Sequence, residues 1–219
     1  MTTLFDPIDV YCERTGPEYW AEPVNAVTNA AFLLAGWVMW RRTEGMPVGR
    51  VLSALLVVIG LGSFLFHTHA NRLTALMDVL PILGFILLYL YAATRDFLGL
   101  SRWWAAVAVV AFLPYAALTA PVFAALLPLG SSSAYAPVPV LILAYAAVLW
   151  RRAPGTARGM ALGAGILLVS LAFRTLDGPV CGALALGTHF LWHLLNALIL
   201  GWMIEVWRRH MLAKGGARG

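Results

Sequence analysis

Apolar stretches long enough to cross a lipid bilayer make up most of this chain. The 219 residues are 61% hydrophobic and only 11% charged, whereas a soluble domain carries about a quarter charged residues. A transmembrane helix needs roughly 20 apolar residues, and sustained apolar windows occur at residues 24–40, 51–67, 73–93, 103–121, 134–150, 159–176 and 183–206. We therefore predict an all-α integral membrane protein, a single domain over residues 1–219 built as a seven-transmembrane-helix bundle.

The distribution of basic residues predicts the orientation of this bundle. With the N-terminus outside, only Arg14, Arg72 and Arg174 fall on the outer side. The inner loops and tail then hold Arg41, Arg42, Arg50, Arg95, Arg102, Arg151, Arg152, Arg158, Arg208, Arg209, Lys214 and Arg218. Cytoplasmic loops of membrane proteins are enriched in arginine and lysine, so residues 1–23 form an acidic outer segment and residues 207–219 a basic cytoplasmic tail.

The net charge of +5 is explained by this topology, and no basic patch interleaved with aromatic residues indicates nucleic-acid binding. No obligate protein partner is evident either. Fourteen arginines to one lysine are typical of a GC-rich bacterial genome, which would place the protein in a cell inner membrane with its polar site toward the outer face.

Polar side chains within the predicted spans gather at one level of the bilayer. They are Ser63, His67, Asp78, His189, His193 and Asn196. Ser63 and His67 share one helix face, as do His189, His193 and Asn196, because residues three or four apart are neighbours on a helix. Helix two ends outside, while helices three and seven begin there, so all six lie near the outer surface. Further polar residues flank this level: Glu22, Asn25, Asn29, Arg174 and Asp177.

Two histidines four residues apart on a helix can bind one metal ion, and a third histidine completes a zinc site that keeps a position for water. Zinc lowers the pKa of such a water to about 7. Asp78 could then accept a proton, and the Ser63 hydroxyl could stabilise an oxyanion. Interhelical hydrogen bonds and bis-histidine haem ligation remain the alternatives, although a pair at i and i+4 is unsuited to haem.

The N-terminal segment carries five carboxylates before the first span: Asp6, Asp9, Glu13, Glu18 and Glu22. They could bind calcium, which takes six to eight oxygen ligands, or form a solvated acidic segment. The chain has two cysteines, Cys12 and Cys181, both on the predicted outer side. An oxidising compartment would permit a disulfide between them, and two unpaired cysteines are the alternative.

Several of these motifs together resemble one family. The run GSFLFHTHANRLTALMDVLP (62–81) resembles the Ser-x-x-x-His motif and following Asp of the alkaline ceramidases, and GTHFLWHLLN (187–196) resembles their His-x-x-x-His helix. VYCERTGPEYWAEPVNAVTN (10–29) and FRTLDGPVC (173–181) are similar to the family's N-terminus and to its segment before helix seven. The wider grouping is the CREST superfamily of seven-helix hydrolases, which includes adiponectin-receptor-like proteins.

The resemblance implies a catalytic zinc held by His67, His189 and His193, with Ser63 and Asp78 as catalytic residues. It implies a calcium site, for which Glu13 and Glu22 match the family pattern, whereas Asp9 stands one position further from the cysteine than the family's aspartate. It also implies a disulfide between Cys12 and Cys181.

The expected function is therefore zinc-dependent hydrolysis of the N-acyl bond of a ceramide-like membrane lipid to a sphingoid base and a fatty acid. A metal-containing receptor or sensor without significant turnover is one alternative, and a hydrolase of another lipid amide or ester is a second. A structural or transport protein with a hydrogen-bonded polar cluster is a third.

Overall fold

The computed structural model describes residues 3–216, and this part of the chain is almost entirely helical. Its α-helices are α1 (Pro23–Thr28), α2 (Ala30–Arg42), α3 (Pro47–His69), α4 (Arg72–Ala92), α5 (Arg102–Leu126), α6 (Pro137–Leu149), α7 (Pro154–Val180) and α8 (His189–Gly216). One π-helical turn, Ala93–Phe97, extends α4, and a 3-10 helix, Gly130–Tyr135, precedes α6. Arg218 and the end of the predicted tail lie outside the described residues, while positions 207–216 continue α8.

Six helices of the described chain are long and apolar enough to cross a membrane, so the protein is an integral membrane protein. They are Pro47–His69, Arg72–Phe97, Arg102–Leu126, Gly130–Leu149, Pro154–Val180 and His189–Gly215. The first predicted span, 24–40, falls on α1 and α2, which are separated only by Asn29, a residue with helical φ and ψ of −65° and −16°. With 6 and 13 residues, neither helix alone is among these six. Six of the seven predicted spans are thus confirmed as candidates.

Close helix packing brings α3 against α4. A side chain at Gly62 would collide with the backbone of Met77 and lie 3.3 Å from the amide nitrogen of Asp78. Small residues allow membrane helices to approach in this way. The crossing places Ser63, which follows Gly62, beside Asp78. Among the long helices α8 is the most buried and α5 the least, so α8 is central and α5 peripheral.

The bundle has two chemically different ends. At the site end, α3 and α7 end, α4 and α8 begin, and the N-terminal segment packs across them. At the opposite end, Glu205 of α8 binds Arg208 and Arg209 of its own helix. Arg42 of α2 donates two further hydrogen bonds to the same carboxylate, at 3.1 and 2.9 Å. This shared acceptor joins α2 to α8 far from the histidines.

The N-terminal segment is fixed to the site end by backbone and covalent bonds. The amide of Ile8 donates to the carbonyl of Ala70 at 2.7 Å, and the amide of Leu73 donates to the carbonyl of Leu4 at 2.8 Å. A disulfide joins Cys12 to Cys181 with their Cα atoms 5.3 Å apart, which confirms the predicted pairing. The segment therefore forms a fixed cover over the ends of α3, α7 and α8.

Candidate metal centre

Three buried histidines meet at the site end. His67 lies in the last turn of α3, His189 begins α8, and His193 follows one turn later. One ring nitrogen from each lies within 4.8 Å of the others, an arrangement able to hold a metal ion. The residues are each 2% exposed or less. The three histidines predicted to lie at one level are thus grouped in the structure, from the ends of two helices.

The state of the ring nitrogens fits a metal ion. Nε2 of His67 and Nδ1 of His189 are buried and have no hydrogen-bond partner within the described residues. An unsatisfied polar atom at such a depth is costly, and native structures rarely leave one without a partner. Two such atoms within one group of three histidines are explained if a cation is their partner. Zinc accepts this ligand type, since three neutral imidazoles form a known class of zinc site.

Glu22 orients His67. Its Oε2 lies 2.6 Å from Nδ1 of His67, so that nitrogen carries the proton and donates to the carboxylate. Nε2 of His67 is then left with a free lone pair for a metal. Burial would raise the pKa of Glu22, but hydrogen bonds and charge attraction from His67 and Arg14 outweigh it and hold the pKa below its usual value. A carboxylate behind a ligating histidine is the common supporting arrangement at metal sites.

Thr28 orients His193. Its hydroxyl donates to the carbonyl of Val24 at 2.8 Å and lies 3.0 Å from Nδ1 of His193. Because the hydroxyl has one proton, we assign the proton of the second contact to Nδ1 of His193. Nε2 of His193 is therefore the free nitrogen. Thr28 was not predicted as a site residue, although its spacing of three from Asn25 is that of neighbours on one helix face.

His189 is held by the segments before it. Asp177 of α7 accepts from the amides of Thr188 and His189 through Oδ1, at 2.7 and 2.9 Å. Its Oδ2 accepts from the amide of Cys12 at 3.0 Å. Gly187 has a φ of +61°, and a side chain there would collide with this carboxylate, so the turn requires glycine. Asp177 was noted in the sequence only as a polar residue at a helix end.

Tyr11 covers the centre from the N-terminal segment. Its ring stacks on that of His189, with centroids 3.6 Å apart and planes inclined by 22°. Burial raises the pKa of the Tyr11 phenol above its usual value, so the ring covers the histidines in neutral form. Tyr11 was not predicted as a site residue, since an isolated aromatic residue in an irregular segment carries no periodic signal.

Asp78 and Ser63 lie side by side next to the histidines. The Asp78 carboxyl interacts with the Ser63 hydroxyl, and His67 and Arg174 are near enough to act on it through charge. Arg174 itself donates to the hydroxyls of Ser131 and Ser132 at 2.9 and 3.0 Å. From the sequence, Arg174 was placed only at the end of a span, whereas in the structure it is near enough to Asp78 to act on it through charge.

Asn196 does not ligate the centre. Its amide donates to the Ser170 hydroxyl at 2.9 Å and to the Trp192 carbonyl at 2.8 Å, which links α7 to α8. His69 also lies apart from the three histidines: it is exposed at the end of α3, beside the ring of Tyr19. Neither residue joins the metal-ligating group.

An apolar cleft opens between α4, α6, α7 and α8. Tyr135 and Trp192 are among its lining residues, and the guanidinium of Arg174 lies over both rings, 5.3 and 5.5 Å from their centroids. Ile142 and Met203 also line it.

The three carboxylates expected to bind calcium do not come together as a ligand set, and the histidine group is the one metal-ligating group within the described residues. Glu13 accepts from the amides of Val24 and Asn25 at 2.7 and 2.8 Å, which caps the start of α1. Glu22 is bound to His67 and Arg14, and Asp9 is exposed. These oxygens already have protein donors or lie in solvent, so the expected calcium donor set does not fit.

Comparison with known proteins gives one clear relationship. The family model described as Ceramidase matches residues 10–214, nearly the whole chain. This range includes the three histidines, Ser63, Asp78 and both cysteines. None of the curated proteins compared with the chain matches it.

Proposed function

The chain belongs to the ceramidase family, and from this premise we propose that it hydrolyses the N-acyl bond of a ceramide-like lipid with a zinc ion held by His67, His189 and His193. The products are a sphingoid base and a fatty acid. The observation that carries the zinc assignment is the pair of buried, unpartnered ring nitrogens on His67 and His189. Membership of the family supports the assignment as a ceramide-hydrolysing membrane enzyme without reference to the metal.

A zinc ion at these nitrogens supplies Lewis acidity and lowers the pKa of water to near neutrality. Protein side chains supply the proton transfer and the stabilisation of negative charge. Asp78 accepts a proton from the attacking water and later returns it to the amine leaving group. Ser63 donates a hydrogen bond to the oxygen of the amide carbonyl as negative charge develops there. The proximity of Ser63, Asp78 and the histidines supports these roles.

The substrate is proposed to bind with its hydrocarbon in the apolar cleft. The cleft offers almost no polar surface, and Trp192, which lines it, directly precedes His193 in α8. Burial of an acyl chain there stabilises binding by about 0.8 kcal/mol for each methylene group removed from water, and less when the chain comes from lipid. A lipid substrate could enter a cleft between helices directly from the bilayer, without passing through water. We propose that the site faces the outer side of the membrane, as the arginine distribution indicates.

The test compares wild type with His193→Ala in purified, full-length form, with fatty acid release from a ceramide panel and bound zinc measured in parallel. We expect about one zinc per wild-type chain and zinc-dependent release, with both lost in His193→Ala. His69→Ala is the matched control, because His69 is exposed and should change neither quantity.

The alternatives give different outcomes in the same measurements. Zinc at one per chain without fatty acid release would favour a metal-containing receptor. Release from other lipid amides or esters but not from ceramides would place the chain among other lipid hydrolases. Absence of bound zinc in wild type would exclude the metal centre.

A further inference from the structure

We propose that Arg14 takes the position of the calcium ion that the resemblance led us to expect, as a permanent cation that joins the N-terminal segment to the metal centre. Arg14 is 8% exposed, although it is an arginine in an irregular segment. Arginine is almost never buried unless it is paired. Its contacts explain why it is buried here.

Three oxygens from three separate parts of the chain converge on the Arg14 guanidinium. Nε donates to Oε1 of Glu22 at 2.5 Å, and Nη1 donates to the carbonyl of Gly16 at 3.1 Å. Nη2 donates to the carbonyl of His67 at 2.9 Å. One carboxylate and two backbone carbonyls are the ligand types that a hard cation such as calcium takes from a protein. Here one side chain satisfies all three.

The neighbouring carboxylates leave no oxygen for a second cation. Both oxygens of Glu13 accept backbone amides, and Oε2 of Glu22 accepts from His67 and from the side chain of Asn25 at 3.1 Å. Calcium needs six to eight oxygens. An ion brought to Glu22 would also meet the positive charge of Arg14 in a site shielded from water, where repulsion is strong. The donor set is therefore complete without calcium.

Arg14 acts on the metal centre through Glu22, which makes it a positioning residue. A guanidinium keeps its charge at all physiological pH values and offers five donors in a planar fork. It therefore holds Glu22 as an ionised acceptor for Nδ1 of His67 whatever the ion composition outside the cell. Removing it would leave a buried carboxylate without its cation and release the carbonyl of His67.

The chain provides a matched control in Arg72. It pairs with Asp6 of the same N-terminal segment at 3.9 Å, and the two side chains are 52% and 36% exposed. Exposed ion pairs contribute little to stability. Arg72→Ala therefore removes an arginine contact to the same segment without affecting the histidines.

The experiment uses full-length protein loaded with one equivalent of zinc, in buffer freed of calcium by a chelating resin and then supplied with millimolar calcium chloride. Melting temperature and zinc affinity, measured by competition with a chromogenic chelator, are followed for wild type, Arg14→Ala, Arg14→Lys and Arg72→Ala. These readouts use the zinc centre of the proposed function but require no substrate. Loss of amidase activity in every lipid tested would therefore leave this result intact.

We expect calcium to change neither quantity in wild type. Arg14→Ala should lower the melting temperature and weaken zinc binding about 10- to 100-fold, the effect typical of losing a support behind a metal ligand. The melting temperature and zinc affinity of Arg14→Lys should lie between those of wild type and Arg14→Ala. Both quantities should be unchanged in Arg72→Ala. The zinc effects of Arg14→Ala and Glu22→Ala should be less than additive, because both act through one contact.

Two results would overturn the proposal. One is a rise of several degrees in the wild-type melting temperature on adding calcium. The other is wild-type zinc affinity in Arg14→Ala. If Arg14→Ala does not fold, two measurements still test the proposal. Arg14→Lys retains the positive charge, and the calcium titration of wild type needs no variant.

Discussion

Glu22 and His67 are 45 residues apart in the chain, yet the carboxylate of one lies 2.6 Å from Nδ1 of the other. Both side chains are buried, so water does not compete for the contact. The pair connects the residue just before α1 to the last turn of α3. It also fixes which nitrogen of His67 is free, and so connects the N-terminal segment to the chemistry of the centre.

Glu22→Ala should weaken zinc binding about 10- to 100-fold, because His67 loses the acceptor that sets its proton and ring orientation. Chelator competition on purified protein measures the change. Glu18→Ala is the control, since Glu18 is an exposed carboxylate of the same segment. Equal zinc affinity in Glu22→Ala and Glu18→Ala would show that the contact does not support the metal.

Asp78→Asn and Ser63→Ala should separate chemistry from metal binding. Loss of the proposed general base should lower kcat by about 10²- to 10⁴-fold, and loss of the oxyanion donor by about 10²- to 10³-fold. Zinc content should stay near one per chain in both, because neither side chain belongs to the histidine group. Normal turnover in Asp78→Asn would require another base.

Replacing both cysteines by serine should lower the free energy of unfolding. The disulfide closes a loop with a sequence separation of 169, for which chain-entropy estimates give about 5 kcal/mol. Thermal unfolding should show a melting temperature lower by several degrees and faster loss of zinc on heating, since the segment bearing Tyr11 and Glu22 is released. A reducing agent should reproduce this in wild type and have no effect on the double variant.

Ile142→Trp should shorten the preferred acyl chain. Ile142 lines the apolar cleft from α6, and an indole there fills space that a long chain would occupy. The ratio of kcat/KM for long-chain over short-chain ceramides should fall about 10-fold or more, in line with the 1–3 kcal/mol that pockets use to discriminate hydrocarbon length. Leu118→Trp on the exposed surface of α5 is the control. Equal losses for all chain lengths would place the acyl chain elsewhere.

The histidine site was predictable because regular helices relate spacing to position. His189 and His193 share a face at i and i+4, and the order of spans gives the depth of His67 without knowledge of packing. Asn25 and Asn29, which the sequence placed among the polar residues flanking this level, are buried. The disulfide was one of two open alternatives from the residues alone, and the family resemblance favoured it.

The supports around the histidines were not predictable in the same way. Tyr11, Arg14 and Glu22 lie in a segment without helical or strand periodicity, so hydropathy gives no information about its path. Asp177 binds groups both upstream and downstream of its own helix. The interruption at Asn29, which separates α1 from α2, depends on local hydrogen bonding that an apolar window averages out.

The two histidines of α8 and the disulfide partner Cys181 all belong to the last part of the chain, while His67 and Glu22 belong to the first third. During synthesis the early helices must therefore enter the membrane before the two other histidines of the centre, His189 and His193, have joined His67. The centre can be assembled only when nearly all of the polypeptide has left the ribosome. A chain truncated before α8 would keep most of its apolar helices but only one of the three histidines. Metal binding therefore requires that the last helix has been synthesised.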